Sequence, residues 1–182
     1  ILDKRELQAF GYPTAFEALR GVRGYVLSDD RVYQSVGVRG TSQPQDYSTR
    51  ILVTSDGHPM NDGFTSAAGT GTEGRVDLHD VERIEVVRGP GSLLYGTGAF
   101  SGLLNLVTRP ADAPNEVHAG AGLFDDNAVH GRAGFHHNFG PGRSVWASVQ
   151  AAYSPGSDAA FPDPAAPSTT RQQPRSTPRP TR

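Results

Sequence analysis

Residues 80–108 read DVERIEVVRGPGSLLYGTGAFSGLLNLVT and form the most informative segment of the chain. Apolar residues alternate in Arg83–Arg88 and again in Leu103–Thr108, which is the pattern of two half-buried strands. Five glycines lie in the intervening bend, Gly89–Gly102, and each would cost about 1 kcal/mol inside a helix. We therefore predict a strand, a glycine-rich bend that holds one helical turn, and a second strand. The apolar side chains expected to be buried together are Ile84, Val86, Leu104 and Leu106.

The first twenty residues predict two short helices. Asp3 is placed to cap the first helix, with Glu6 at the reciprocal capping position and Gly11 at the end. Thr14 and Glu17 repeat this arrangement for the second helix. Both helices are therefore expected before any strong strand.

The middle of the chain predicts further strands with loops between them. Period-two alternation in Val32–Val38 and the β-forming residues of Arg50–Ser55 indicate two strands. Asn61–Gly74 is rich in glycine, serine and threonine and predicts an exposed loop that buries little. Asp77–Glu82 is expected to form one helical turn. Residues 1–109 are thus predicted to form a small mixed α/β domain.

Beyond Pro110 the pattern changes to three alternating strands. Apolar residues occupy every second position from Val117 to Leu123, and the alternation resumes after the turn predicted at 125–127 and again after Gly142. The strand length suits a membrane barrel, but a soluble antiparallel sheet with one solvated face gives the same pattern. In residues 110–154 we therefore expect two or three antiparallel strands.

The last segment, residues 155–182, has a different composition. It contains half of the 14 prolines. This composition predicts a disordered tail. Because the strand pattern stops abruptly at Pro155, we also expect that any barrel is incomplete and that the chain is truncated.

Composition excludes several classes of function. The net charge is -2, so no basic surface for nucleic acid is expected. The chain has no cysteine, which removes thiolate chemistry and disulfides. It shows no apolar run of the roughly 18 to 20 residues that a membrane helix needs. Its amino end does not resemble a signal peptide, which is expected either if an export signal has been removed or if the chain is a fragment.

Local patterns give no support to catalysis or metal binding. The glycine-rich bend lacks the Lys-Ser or Lys-Thr of a phosphate-binding loop, and no serine stands in a G-x-S-x-G elbow. His136 and His137 are adjacent on a predicted strand and would point to opposite faces, so they cannot easily share one ion. We predict no enzyme activity, no cofactor and no metal site.

Four motifs in order resemble those of the plug domain of TonB-dependent outer-membrane receptors. Residues 80–108 resemble the strand ending in Arg-Gly-Pro, the Tyr-Gly turn and the following strand of that family. Glu17–Arg20 resembles its EAL helix, Val36–Gly40 its IRG strand end, and Ile51–Met60 its DGxP hairpin. The resemblance covers roughly residues 2–109. The amino-terminal energy-coupling box of the family is not seen.

The resemblance implies an α+β fold in which a small mixed-sheet plug with short helices sits inside a 22-stranded barrel. It divides the chain into a plug at 1–109, the start of an incomplete barrel at 110–154 and the disordered tail at 155–182. It also implies uptake of an iron-siderophore or cobalamin across the outer membrane, with a TonB-type periplasmic energy-coupling partner. The alternative is a freestanding soluble ligand-binding module.

The resemblance also implies roles for individual residues. Arg39 and Arg88 each end a strand before a glycine, and in the family these arginines pair with barrel carboxylates at the plug–barrel interface. The alternative is that both are solvated arginines at strand ends. Loops commonly carry binding groups, so the candidate ligand contacts are Asn61, Asp62, Phe64 and Tyr95.

Overall fold

The computed structural model describes residues 1–29, 33–41, 46–71, 73–74, 76–123 and 129–153. The turn expected at 125–127 and the tail expected at 155–182 lie outside the described residues. The helices are α1 (Lys4–Phe10), α2 (Ala15–Ala18), a 3-10 helix (Leu19–Gly21) and α3 (Ser92–Tyr95). The strands are β1 (Leu2–Asp3), β2 (Tyr25–Asp29), β3 (Gln34–Val38), β4 (Ile51–Ser55), β5 (His58–Pro59), β6 (Val81–Arg88), β7 (Gly102–Thr108), β8 (Glu116–Leu123), β9 (Val129–Gly140) and β10 (Arg143–Tyr153).

A mixed five-stranded sheet has the order β1-β6-β7-β4-β5, and residues 80–108 supply its strands β6 and β7. β6 and β7 pair antiparallel, with Ile84 opposite Leu106 and Val86 opposite Leu104. β4 lies parallel to β7 on its other side. The predicted pair of strands joined through a glycine-rich bend is therefore confirmed, and β7 is the central strand of the sheet.

The main core lies on one face of this sheet. Ile84 and Leu104 are fully buried, and Leu106 is only 4% exposed. Phe16 of α2 and Leu19 of the 3-10 helix pack into this core, and each is only 1% exposed. The opposite face carries a smaller cluster of Leu52, Ala99 and Leu103. The alternation in β7 thus sends successive side chains to two separate apolar clusters.

The two amino-terminal helices form as the capping patterns predict. The Asp3 side chain accepts a hydrogen bond from the Glu6 amide at 2.9 Å. The Thr14 hydroxyl accepts one from the Glu17 amide at 3.3 Å. Gly11 ends α1 with a φ of 61°, a conformation that glycine adopts without steric cost. Both caps confirm that the chain enters its helices where expected.

Two local predictions are wrong. No helical turn forms over Asp77–Glu82, because β6 already begins at Val81 and pairs there with Thr108. The loop Asn61–Gly74 is also less exposed than predicted, since Ala68 is 3% and Thr70 is 1% exposed. The Thr70 carbonyl accepts a hydrogen bond from the Phe16 amide at 2.8 Å, so the end of this loop is tied to α2.

Two further sheets complete the described structure. β2 and β3 form a two-stranded antiparallel ribbon. β8, β9 and β10 form an antiparallel sheet with the order β10-β9-β8, which does not close into a barrel within the described residues. No helix in the described part of the chain is long and apolar enough to cross a bilayer.

The three-stranded sheet has two chemically different faces. Val117, Leu123 and Val149 are between 68% and 85% exposed on its apolar face. The opposite face carries His118, Arg132, His136, Trp146 and Ser148 in cross-strand rows. The predicted alternation is therefore confirmed for all three strands.

Candidate functional site

A cavity of about 610 Å³ opens beside the start of β3 and the loop after β5. This volume falls within the range of about 300 to 1,000 Å³ that is usual for small-molecule sites. The larger side chains that line the cavity are Tyr33, Gln34, Tyr47, Thr49, Met60, Asn61, Asp62, Thr65 and Glu73. The remaining lining residues are glycines and alanines, so backbone as well as side chains is accessible there.

Asn61 holds the cavity loop against the edge of β4. Its Oδ1 accepts a hydrogen bond from the Val53 amide at 2.8 Å. Its Nδ2 donates to the carbonyls of Ile51 and Ser66, each at 2.9 Å. Because β5 covers only two residues of β4, the Asn61 amide takes the place of a missing strand partner. Asn61 therefore lines the cavity and also fixes its wall.

Asp62 organises the turn that follows. Its Oδ1 accepts hydrogen bonds from the Phe64 amide at 3.1 Å, the Thr65 amide at 2.6 Å and the Thr65 hydroxyl at 2.7 Å. Such local bonds are the usual reason that aspartate favours turns. The Asp62 carboxylate lines the cavity while it shapes the loop.

A pair of tyrosines forms the aromatic side of the cavity. The rings of Tyr33 and Tyr47 meet edge to face, with centroids 5.0 Å apart and an interplanar angle of 80°. Both remain partly accessible, at 54% and 39% exposure. Aromatic rings with a polar hydroxyl combine apolar contact area with hydrogen bonding, which suits recognition of a ligand. The sequence patterns did not identify either tyrosine.

The other two loop candidates lie away from this cavity. The side chain of Phe64 is 96% exposed and does not line it. Tyr95 belongs to α3, in the bend between β6 and β7, and also does not line it. The structure thus brings Asn61 and Asp62 together at one cavity and places Phe64 and Tyr95 elsewhere on the surface.

Loss of the Asn61 side chain is expected to loosen this loop. In Asn61→Ala, Val53 N–H and two carbonyls lose their partner, at a cost of about 2 kcal/mol in the free energy of unfolding. Hydrogen exchange at the Val53 amide should become faster. Phe64→Ala, which removes an exposed side chain of the same loop, should leave this exchange slow, and equally fast exchange in both variants would contradict the role of the Asn61 bond.

Arg39 and Arg88 lie close together at one end of the fold. Arg88 is the last residue of β6 and Arg39 directly follows β3, and a Cβ atom placed on Gly89 would lie 3.9 Å from Nη1 of Arg39. Arg88 Nη1 donates to the Arg23 carbonyl at 2.8 Å. Arg88 also lies near Tyr25, whose pKa burial raises to about 12 although the positive charge of Arg88 lowers it. Both arginines contact the segment that leads into β2.

The two guanidinium groups have no carboxylate partner among the described residues. Both side chains are exposed. Arg39 has a φ of 52°, and a non-glycine residue in this left-handed region costs about 1 kcal/mol. The end of the fold thus presents two neighbouring positive charges that the described chain does not neutralise.

The described residues contain no group of three His, Cys, Asp or Glu side chains arranged to hold a metal ion. His136 is 3% exposed and lies on the polar face of the three-stranded sheet. His137 points to the other face, where its ring meets Phe139 edge to face at 4.5 Å. The expectation that the adjacent histidines occupy opposite faces is therefore confirmed.

Comparison with known families gives one match over more than half of the chain. A sequence model of the family described as "TonB-dependent Receptor Plug Domain" matches residues 1–103. The matched region contains the five-stranded sheet up to the start of β7, the cavity loop and both unpaired arginines.

Curated relatives and solved structures agree with this match. The chain is similar to the vitamin B12 transporter BtuB of Vibrio vulnificus, with 29% identity over 130 residues, which are 70% of this chain and 20% of the transporter. It is similar to the iron-regulated outer membrane virulence protein of Vibrio cholerae, with 31% identity over 111 residues, 60% of this chain and 17% of that protein. The chain spans about a fifth of the length of the curated relatives that it matches.

Solved siderophore receptors contain a similar fold in part of their chains. The ferric yersiniabactin uptake receptor FyuA from Yersinia pestis matches with a TM-score of 0.61 and 24% identity, over 81% of this chain and 22% of the receptor. The ferric-catecholate import receptor Fiu of E. coli matches with a TM-score of 0.59 and 19% identity, over 82% of this chain and 20% of the receptor. At these identities the likeness concerns the fold.

Proposed function

Since the chain belongs to the TonB-dependent receptor plug domain family, we propose that it is the gate and ligand-recognition part of an outer-membrane receptor that takes up a scarce nutrient. The match over residues 1–103 is the observation that carries this proposal. In this function residues 1–109 are the plug, and residues 110–154 begin the barrel that surrounds it. The relatives include a vitamin B12 transporter and an iron-regulated outer membrane virulence protein, and the proposed function requires no covalent chemistry.

The apolar face of β8–β10 supports the proposal that these three strands belong to a membrane-spanning barrel. Its side chains lie in continuous cross-strand rows, such as Val117, Phe135 and Ala147. A soluble protein seldom exposes an apolar surface that extends over three strands. Lipid hydrocarbon is the environment that suits this face, whereas the polar face turns towards the five-stranded sheet. This arrangement favours the receptor over the soluble binding module.

The cavity beside β3 is the proposed recognition site for an iron-siderophore or cobalamin. Printed names among the relatives and structural neighbours include a vitamin B12 transporter and a ferric yersiniabactin uptake receptor. A mixed lining of tyrosines, amide, hydroxyl and carboxylate groups suits a large ligand that has both polar and apolar surfaces. Phe64 and Tyr95 would then reach the ligand only outside this cavity.

The energy for release is proposed to come from a TonB-type periplasmic protein that acts on the intact receptor. The family description names this dependence. Recognition at the cavity and release of the ligand would both be non-covalent steps. We place the intact receptor in the outer membrane.

Replacing either cavity tyrosine is expected to weaken ligand binding. In Tyr33→Ala or Tyr47→Ala, loss of ring contact should reduce affinity about tenfold. The measurement is a titration of the 182-residue chain, in detergent, with cyanocobalamin and with ferric siderophores. Tyr153→Ala, which removes an exposed tyrosine of β10, is the matched control.

The titration also tests the proposed function itself. Saturable binding of one of these ligands that is weakened in both cavity variants and retained in Tyr153→Ala would support it. Equal affinity in all three variants would contradict the assignment of the cavity. Absence of binding to every siderophore and to cobalamin would contradict the proposed ligand class.

A further inference from the structure

We propose that the acidic turn Asp77–Asp80 is a docking site that anchors the five-stranded sheet to the polar face of β9 and β10. This inference concerns a contact within the chain and does not depend on which ligand the cavity binds. It is separate from the two unpaired arginines, which lie at the other end of the fold.

Two contacts cross from the turn to the sheet. Asp77 Oδ2 lies 3.8 Å from Arg132 Nη1, and these side chains are 16% and 13% exposed. The Ser148 hydroxyl donates to Asp80 Oδ2 at 2.5 Å. Arg132 and Ser148 stand in neighbouring cross-strand rows of one face, because Arg132 is opposite Gln150 and Ser148 is opposite Gly134. Both carboxylates of the turn therefore contact a single small area.

The turn is braced so that Asp77 can face Arg132. The amide of His79 donates to Asp77 Oδ1 at 2.9 Å, and the amide of Asp80 donates to the Asp77 carbonyl at 3.0 Å. Burial of Asp77 opposes its ionisation. Hydrogen bonds from His79 and the charges of His79 and Arg132 outweigh this effect and hold the pKa of Asp77 below its ordinary value of 3.8. Asp77 is thus ionised at neutral pH.

Arg132 depends on this carboxylate. Its Nη1 atom is buried and makes no hydrogen bond within the described residues, so the contact with Asp77 is an ion pair without a hydrogen bond. No other carboxylate of the described chain lies within 4.0 Å of Arg132. A buried guanidinium that loses its counter-charge is strongly destabilised. Removal of Asp77 would therefore expose Arg132 to water by separating the two sheets.

Glycines on the neighbouring strand give this face its shape. A Cβ atom at Gly134 would lie 2.6 Å from Nε2 of His118, so only glycine leaves space for the imidazole there. Likewise, Arg132 lies over Gly120, its cross-strand neighbour. Large polar side chains can therefore lie flat beneath the turn, and the close approach of Asp80 to Ser148 becomes possible.

The docking turn lies at the same end of the five-stranded sheet as the covalent connection to β8. β6 begins at Val81, directly after the turn, and pairs with Thr108 at the end of β7. Arg109 and Glu116 bridge the connection with an ion pair of 2.8 Å. At this end the five-stranded sheet is therefore joined to the three-stranded sheet both by the covalent connection and by the contacts of the turn.

The chain contains one tryptophan, which reports on this contact. Trp146 lines a small cavity together with Asp80, Arg109, His118 and His136. In the full 182-residue chain in detergent, without ligand, we expect Asp77→Asn or Arg132→Gln to weaken docking about tenfold, a coupling of about 1.4 kcal/mol. The acrylamide quenching constant of Trp146 should rise and its emission should shift to longer wavelength, while the far-ultraviolet circular dichroism stays unchanged.

The double variant Asp77→Asn with Arg132→Gln should raise the quenching constant no further than either single variant, because both changes remove the same contact. Arg20→Gln, which breaks the exposed pair between Arg20 and Glu17, is the matched control and should leave Trp146 unchanged. Unaltered quenching in both single variants would overturn the proposal, as would additive effects of the two changes in the double variant. Because no ligand is present, these outcomes are independent of the titration that tests the proposed function.

Discussion

Replacing Leu104 by alanine is expected to lower the free energy of unfolding by about 3 kcal/mol. Leu104 is fully buried in the central strand β7, between β6 and β4. Truncation removes apolar contacts and leaves a cavity that two hydrogen-bonded neighbouring strands cannot easily fill. For a chain of this length the loss corresponds to a fall of about 10 °C in the midpoint of thermal unfolding.

Urea unfolding followed by circular dichroism measures this change. Leu93→Ala is the matched control, because Leu93 lies in α3 with its side chain fully exposed. The control should change stability by no more than about 0.5 kcal/mol. Equal losses in both variants would show that β7 is not the centre of the core.

The parts of the fold that were predictable are those with a local signal. Alternation in β6 and β7 is a property of successive residues, and capping by Asp3 and Thr14 involves residues three apart, so both can be read from the sequence. β1 could not be predicted in this way, because two residues form a strand only through pairing with Ile84 and Arg83 of β6. The parallel pairing of β4 with β7 likewise depends on residues about 50 positions apart.

Asn105 connects three strands through hydrogen bonds that the sequence alternation of β7 does not predict. Its Oδ1 accepts hydrogen bonds from the Thr54 hydroxyl at 2.8 Å and the Gly57 amide at 3.1 Å. Its Nδ2 donates to Glu85 Oε2 at 3.0 Å, and this bond is the largest cause of the lowered pKa of Glu85. One amide in the central strand thus links both neighbouring strands. The sequence showed an asparagine in a strand but not these partners.

Only some of the residues that line the cavity could be predicted from the sequence. Asn61 and Asp62 were proposed because loops carry binding groups, and they do line it, although whether they contact a ligand stays a prediction. Tyr33 and Tyr47 could not be identified as cavity residues, because they belong to two separate segments and meet only through the fold. The ion pair between Asp77 and Arg132 was missed for the same reason, since it joins two segments that the alternation describes separately.

Replacing Arg39 or Arg88 by glutamine is expected to change the stability of the chain little but to reduce transport by the intact receptor strongly. In the 182-residue chain neither variant should change the free energy of unfolding by more than about 1 kcal/mol. Both guanidinium groups are exposed and lack a carboxylate partner in the described chain, and only the bond from Arg88 to the Arg23 carbonyl would be lost. Urea unfolding of the two variants measures this first half of the prediction.

We propose that in an intact receptor both arginines pair with barrel carboxylates, so the same variants should impair seating of the plug by about 3 kcal/mol, or more than 100-fold. The measurement is the rate of ligand uptake by cells, together with protease access to the plug. Arg132 is unsuitable as a control because of its ion pair with Asp77. Arg143, an exposed residue of β10 without an ion pair in the described chain, is suitable, so Arg143→Gln should transport normally. Equal uptake by all three variants would show that Arg39 and Arg88 are solvated strand-end residues. A selective loss of uptake in Arg39→Gln and Arg88→Gln would show that the two guanidinium groups pair with the barrel.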